Sequence, residues 1–319
     1  MSHVLVTGAS GFIGSTVVAA LAHDGHTVRA AVRRPHLSFP DGVEMVRHPD
    51  LAEAFDWQPL LQGVDQVVHL AGIAHTGRGV DRAAYDRVNR QATARLAMAA
   101  AQASVKHFVF VSSIRAQSGP AADHALTERD DPAPTDAYGA SKLAAEESVR
   151  ASGVPFTILR PVLLYGPGMK GNLALLARAA ATRLPLPVKD FANRRSLLGI
   201  DNFISALAFV LATPATIGET YVVADPGIPP RLSDVFATLR QARGRRPFVM
   251  PMSPAYIELP LRLFRRTDVW HRIGGNLRVD AGKLIAAGWR PAHDTLGGLT
   301  AMVQAAAPRK SGTASRSTR

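Results

Sequence analysis

A chain of 319 residues, 47% hydrophobic and 19% charged, is long enough to bury a full core and has the balance of a soluble globular protein. It has no cysteine, which excludes disulfides, thiolate metal sites and a cysteine nucleophile, and fits a reducing compartment. The net charge is +12, yet Arg309, Lys310, Arg316 and Arg319 lie in a Ser/Thr/Gly-rich tail expected to be disordered, and the other basic residues are scattered without interleaved aromatics. Nucleic-acid binding is therefore not expected. No apolar run is long enough to span a bilayer, and no signal-like segment opens the sequence, so a cytoplasmic protein without membrane insertion is the expectation.

In chain order, His3–Thr7 is a short apolar strand that runs into Gly8-Ala9-Ser10-Gly11-Phe12-Ile13-Gly14 and a helix to about His23. A strand, a glycine turn and a helix N-terminus together bring backbone N–H groups against a pyrophosphate. Gly8 permits the turn, Gly11 the approach of phosphate and Gly14 close helix–strand packing. The second strand, Thr27–Val32, ends at Arg33-Arg34, with no acidic residue before Asp41. An acidic side chain there suits the free ribose of NAD and an arginine the 2′-phosphate of NADP, so NADP is favoured over NAD; the competing reading is two solvated loop charges.

A third strand is expected over 43–47, then Asp50-Leu51 and an amphipathic helix to about Leu61. A fourth strand, 65–70, ends at Ala71-Gly72, small residues where a ligand can lie close to backbone. A long helix over 82–103 carries Asn89, and a buried strand from His107 ends at Ser112 and Ser113. In the helix that follows, Tyr138 and Lys142 stand one turn apart on one face. An ammonium beside a phenol moves its pKa toward the working range, and a strand-end serine can hold a carbinol or carbonyl oxygen next to it. The set suits proton transfer coupled to hydride transfer. The bland alternative, an exposed Tyr and Lys on a surface helix, is weakened by the glycine turn.

Val154–Leu159 reads as a sixth strand, and the alternation argues for an α/β, Rossmann-type doubly wound parallel sheet with its ligand at the carboxyl ends of the strands. Beyond it the texture changes to a turn-rich loop, helices near 172–183, 201–212 and 231–242, and short strands near 195–200, 219–224 and 247–251. Residues 255–266, with Arg262, Arg265 and Arg266 off the apolar face, read as a surface helix rather than a membrane-surface one. The expected organisation is a dinucleotide-binding domain at 1–165, a substrate lobe with late sheet elements at 166–306 and a basic tail at 307–319.

TGASGFIG (7–14), HLAG (69–72), VNRQAT (88–93), VSS (111–113), YGASK (138–142), LRPVLLYGPG (159–168), NRRSLLGIDN (193–202) and GWRP (288–291) occur in this order over nearly the whole chain. The chain thereby resembles the extended short-chain dehydrogenases/reductases, most of all the subgroup of UDP-glucose 4-epimerases and UDP-linked 4-keto-6-deoxy amino sugar reductases. The resemblance implies that Phe12 and Ile13 join Gly8, Gly11 and Gly14 at the pyrophosphate. It places Asp50-Leu51 at the adenine, and Leu70, Ala71, Gly72, Asn89, Ser112, Pro161 and Val162 along the cofactor, with a structural hydrogen bond as the other role for Asn89. It assigns catalysis to Ser113, Tyr138 and Lys142, and the nucleotide diphosphate to Asn172 and Arg195, with Arg194 an equally basic neighbour. Leu163 and Gly199 depart from the residues common in relatives (Asn at the first, His or Tyr at the second), which leaves the sugar open. The implied reaction is oxidoreduction at C4 of a UDP-sugar, leaning to reduction of a 4-keto sugar because of Arg33-Arg34. The alternatives are 4-epimerisation with tightly held NAD and a non-enzymatic dinucleotide sensor; dehydration is disfavoured because Ile114-Arg115 stand where an acidic pair is needed. A homodimer and a place in polysaccharide precursor synthesis are likewise implied.

Overall fold

The computed structural model describes residues 1–34, 38–74, 80–264 and 274–306. Seven parallel strands form the central sheet: β1 (His3–Thr7), β2 (Thr27–Val32), β3 (Glu44–Arg47), β4 (Gln66–His69), β5 (His107–Val111), β7 (Phe156–Pro161) and β10 (Thr220–Val223). Their order is β10-β7-β5-β4-β1-β2-β3, so the direction of winding reverses between β1 and β4. That reversal opens a crevice at the carboxyl ends of the strands. Two further parallel pairs lie outside the sheet, β6 (Ala125–Leu126) with β11 (Arg278–Val279) and β8 (Leu163–Tyr165) with β9 (Leu197–Gly199).

Strand residues alternate between two helical layers, as a pleated chain with a period of two requires. Val4, Val6, Val109 and Val111 pack with Val17, Val18 and Leu21 of helix α1 (Phe12–His23) and with Phe203, Leu207 and Val210 of the helix Ile200–Ala212. Leu5, Phe108 and Phe110 face the other way, onto Trp57, Leu96, Ala97, Ala100, Ala145 and Val149. A third cluster, with Phe236, Leu239, Leu299 and Val303, forms the core of the C-terminal lobe.

Four expectations need correction. The helix expected up to Leu61 is confined to α2 (Gln58–Leu61), because the Asp50 and Asp56 carboxylates accept from the amides of Ala52 and Gln58, both at 2.9 Å, and fold the chain into side-chain-closed turns. The helix expected over 82–103 is broken into α3 (Arg82–Tyr85), one π turn at Asp86–Gln91 and α4 (Ala92–Gln102). The strand expected at 247–251 shrinks to a single bridge between Val249 and Leu186, since Pro247 and Pro251 remove ladder donors on both sides. The sixth strand runs two residues later than expected, through Pro161. Helix Ala255–Leu263 forms, with Tyr256, Leu259 and Leu263 exposed, while Arg265, Arg266 and the tail lie outside the described residues. Among the described residues no helix is long and apolar enough to cross a membrane.

The lobe is fastened to the sheet by one buried carboxylate. Asp225, just past β10, accepts from the Tyr165 hydroxyl (2.8 Å), the Gly199 amide (2.9 Å), Asn202 Nδ2 (2.7 Å) and the Thr295 hydroxyl (3.0 Å). The Tyr165 hydroxyl lies 3.1 Å from where a Cβ on Gly199 would stand, so any side chain at that position requires Tyr165 to give by a few tenths of an ångström.

Candidate active site

The crevice begins at the glycine turn. Gly8 has φ +69°, the left-handed region that favours glycine, and a Cβ on it would sit 2.8 Å from the Ala71 nitrogen. The ends of β1 and β4 therefore touch backbone to backbone. A Cβ on Gly14 would lie 2.1 Å from the Gly8 carbonyl oxygen, which explains why the third glycine admits nothing larger. Gly11 is the N-cap of α1, with neither a capping side chain nor an acidic residue in the first turn. The helix thus presents free amide donors and a positive dipole end to an anion, which fits the pyrophosphate of a dinucleotide.

Beside this turn the polar groups satisfy one another. The Thr7 hydroxyl bonds His69 Nδ1 (2.6 Å), and His69 Nε2 bonds the Thr93 hydroxyl (2.8 Å). Burial first, and the Lys142 charge second, hold His69 down at a pKa of about 3, so it is a neutral structural link. Asn89 is 1% exposed in the π turn; its Oδ1 accepts from the Ile73 amide (2.7 Å), and its Nδ2 donates to the Ile73 carbonyl (3.1 Å) and the Ser141 hydroxyl (3.0 Å). It pins the loop after Gly72 to the helix of Tyr138, the structural role weighed for it. At the end of β2, Arg33 Nη1 pairs with Asp50 Oδ2 at 3.1 Å, and Leu51 is buried. Pro161 closes β7, and Val162 is buried with its amide on the Val223 carbonyl (3.1 Å).

The third side of the crevice holds the catalytic candidates. α5 (Ala137–Ala151) starts at an Asp136 cap whose Oδ1 accepts from the Gly139 amide at 2.7 Å. Tyr138, in its first turn, is hydrogen-bonded to Ser113 at the end of β5, so the structure brings the two together. Burial raises the Tyr138 pKa; the Ser113 hydrogen bond and the Arg115 charge act against that, whereas Asp136 and Tyr85 add to it. Lys142 is buried, its Nζ donating to the Val111 carbonyl (2.7 Å) and lying 4.3 Å above the Phe110 ring. Burial lowers its pKa to about 7, with the Glu146 charge holding it up. The expected one-turn spacing is present, and the ammonium is directed at the strand end.

Two residues that the sequence reading passed over complete this wall. Glu146, fully buried one turn beyond Lys142, accepts from the Ser112 hydroxyl (2.6 Å), Arg160 Nε (2.9 Å) and Nη2 (2.7 Å), and Arg150 Nη2 (3.2 Å). Arg160 also reaches Gln117 Oε1 at 3.1 Å. Ser112 is therefore tied to a structural carboxylate. A charged residue inside the apolar strand FTILRP was the available signal, because a buried arginine requires a partner.

On the substrate side, Asn172 is exposed in the first turn of α6 (Gly171–Ala180). Arg195 is largely buried, its Nη1 donating to the carbonyls of Pro120 (3.1 Å) and Gly275 (3.0 Å), and burial followed by the nearby Arg115 charge lowers its pKa to about 10. Arg194 Nη1 is occupied by the Pro229 carbonyl at 2.8 Å. The glycine turn and this lobe meet where Phe12 comes close to Gly166, so helix α1 also touches the loop leading to Asn172.

Comparison with known proteins agrees with this geometry. Residues 4–224 match the model of the NAD dependent epimerase/dehydratase family. The chain is 30% identical over 313 residues to a UDP-glucose 4-epimerase of Vibrio cholerae, covering 95% of this chain and 94% of that one. A ceramide reductase of Caulobacter vibrioides is 34% identical over 215 residues, 66% of this chain and 61% of that protein. Among solved structures, MoeE5 in complex with UDP-glucuronic acid and NAD superposes with a TM-score of 0.73 at 26% identity, covering 95% of this chain and 98% of that one. A glycine turn at a sheet reversal, a Ser–Tyr pair with its lysine and a family match over more than two thirds of the sequence lead to one conclusion: the chain belongs to the NAD dependent epimerase/dehydratase family.

Proposed function

We propose that this protein is an NAD-linked enzyme that inverts C4 of a UDP-hexose. The observation that carries the reading is the Ser113–Tyr138 hydrogen bond at the carboxyl end of β5, one wall of the crevice whose other wall is the glycine turn. A relative matched over 94% of its length, a UDP-glucose 4-epimerase, supports inversion. Gly8, Gly11, Phe12, Ile13 and Gly14 would hold the pyrophosphate, Asp50 and Leu51 the adenine end, and Leu70 to Gly72, Pro161, Val162 and Lys142 the remainder. NAD, when bound there, supplies a hydride acceptor and donor for C4. Ser113 holds the O4 oxygen beside the phenol, and Tyr138 takes the hydroxyl proton as C4 is oxidised and returns it when C4 is reduced on its other face. Lys142, in its protonated form, places a positive charge one helical turn from the phenol. Arg195, with Asn172, would bind the diphosphate, and a guanidinium suits its oxygens.

Reduction of a 4-keto UDP-sugar is the second reading, favoured by Arg33-Arg34 at the end of β2. The two are separated by denaturing the purified protein and identifying any released nucleotide, then supplying UDP-glucose or UDP-galactose. Stoichiometric NAD together with interconversion of the two sugars supports inversion. A protein that carries no nucleotide, binds NADPH and consumes it only with a 4-keto sugar would replace it by reduction. Tyr138→Phe should abolish either reaction while leaving dinucleotide binding intact, and undiminished turnover would refute both.

A further inference from the structure

The turn after β5 bears a cation where the sequence reading looked for acids. Ser113 is extended (φ −162°, ψ 152°) and caps the single helical turn Ile114–Ala116, its hydroxyl accepting from the Arg115 amide at 3.1 Å. The Arg115 carbonyl approaches α5 so closely that a Cβ on Gly139 would stand 2.2 Å from it. The Arg115 guanidinium donates through Nη2 to Asp136 Oδ2 at 2.6 Å, and Asp136 is the same residue whose Oδ1 caps α5 at the Gly139 amide. One residue thus meets the serine with its amide, the first turn of α5 with its carbonyl and the cap with its side chain. Tyr138 lies between these contacts. The Arg115–Asp136 pair is mostly buried, with side chains 16% and 27% exposed, and Arg115 Nη1 has no partner among the described residues.

The charged and titratable groups around the phenol are Arg115 from the turn after β5, Asp136 at the α5 cap, Lys142 one turn along α5, and Tyr85 of α3, whose ring centroid is 5.9 Å away. Arg115 acts in turn on Arg195, whose pKa its charge helps to lower after burial. Lys142 is held against the Val111 carbonyl, and Arg115, from the turn after β5, supplies a second cation that acts on the phenol.

We propose that Arg115 is a positioning residue for the proton-transfer pair: it clamps the strand-end serine onto the first turn of α5 and holds a permanent positive charge beside the Tyr138 phenol. This rests on the reading of Tyr138 as the group that carries the proton at C4. A guanidinium suits the task because it stays charged at any working pH and can hold Asp136 while leaving a second N–H for an acceptor on the ligand.

The test uses the full chain with Tyr138→difluorotyrosine, which brings the phenol's titration into a range where the protein is folded and is read by absorbance without substrate. Arg115→Gln should move that titration up by about one pH unit, Arg115→Lys should restore most of the shift, and Asp136→Asn should move it down. A purely structural role predicts no opposite shifts from two partners of one ion pair. If Arg115→Gln leaves the titration unmoved in a folded protein, or Arg115→Lys fails to restore it, the proposal is overturned. If Arg115→Gln does not fold, Arg115→Lys and Asp136→Asn still decide it, since an unmoved titration in Asp136→Asn overturns the charge role. Shifts without any turnover of UDP-sugars would uphold Arg115 while removing the proposed reaction; turnover with unmoved titrations would do the reverse.

Discussion

Glu146→Leu tests the buried ion pair behind the catalytic wall. The change removes the only carboxylate that Arg160 meets among the described residues, taking away its hydrogen bonds at 2.9 and 2.7 Å, together with the acceptor of the Ser112 hydroxyl. Arg160 is 4% exposed and keeps only its Gln117 contact, whereas Arg150, 37% exposed at its side chain, can turn to water. An uncompensated buried guanidinium costs about 3–5 kcal/mol. Two charge-assisted hydrogen bonds at about 1.5–3 kcal/mol each lead to the same range. Urea unfolding followed by tryptophan fluorescence, reported by the buried Trp57 and Trp289, should show that loss. Glu146→Leu combined with Arg160→Met, which removes both charges, should be less destabilised than the single change. A loss below about 1 kcal/mol in the single variant would refute the reasoning, because the guanidinium would then have found another way to be solvated.

The glycine turn separates packing from binding: Gly14→Ala should cost about 1–3 kcal/mol of stability and abolish NAD binding in calorimetry, while Gly11→Ala, whose Cβ would sit 3.3 Å from the Gly8 oxygen, should weaken binding with little loss of stability. Equal effects of the two on unfolding would sink that distinction. The buried His69 and His107 have folded pKa values of about 3 and about 4, below 6.5 in the unfolded chain, so the unfolded state binds the extra protons. Their stabilisation is complete above pH 6.5 and is lost as pH falls through that window, with a slope approaching about 1.4 kcal/mol per pH unit for each. His107→Gln should flatten the acid limb of the stability curve by one proton, and an unchanged limb would count against it. Arg33→Asp should lower the NADP/NAD affinity ratio by about tenfold with stability unaffected, since the Arg33–Asp50 pair is exposed; an unmoved ratio would mean the arginine is a solvated charge.

How much of this was legible beforehand depended on whether a feature is local. The strand–glycine–helix start and the Tyr138–Lys142 spacing are short-range patterns, and the parallel doubly wound sheet follows from alternation alone. Glu146 was hidden because a glutamate followed by Glu147 on an amphipathic helix looks like a solvated face; its partner Arg160 lies on a different element. The break of the long helix at Asp86–Gln91 depends on Asn89 reaching Ile73, a loop contact that helical periodicity does not encode. Arg195 was assigned to phosphate from its place in NRRSLLGIDN, while the structure also commits its guanidinium to two loop carbonyls. The direction of Lys142 toward Val111 follows from tertiary packing rather than from its spacing to Tyr138.

The carboxylate of Asp225 has a consequence for the order in which this molecule is completed during synthesis. Its acceptor sites are filled from Tyr165, Gly199 and Asn202, which are translated before it, and from Thr295, translated seventy residues later. The edge strand β10 sits directly upstream, so the sheet can close on the ribosome while this carboxylate still lacks one donor. Arrival of the C-terminal helix then fills a site that the nascent chain has already built. A ribosome-bound chain halted before residue 295 should therefore hold a formed nucleotide-binding half whose last strand is more readily cleaved by protease than in the released protein.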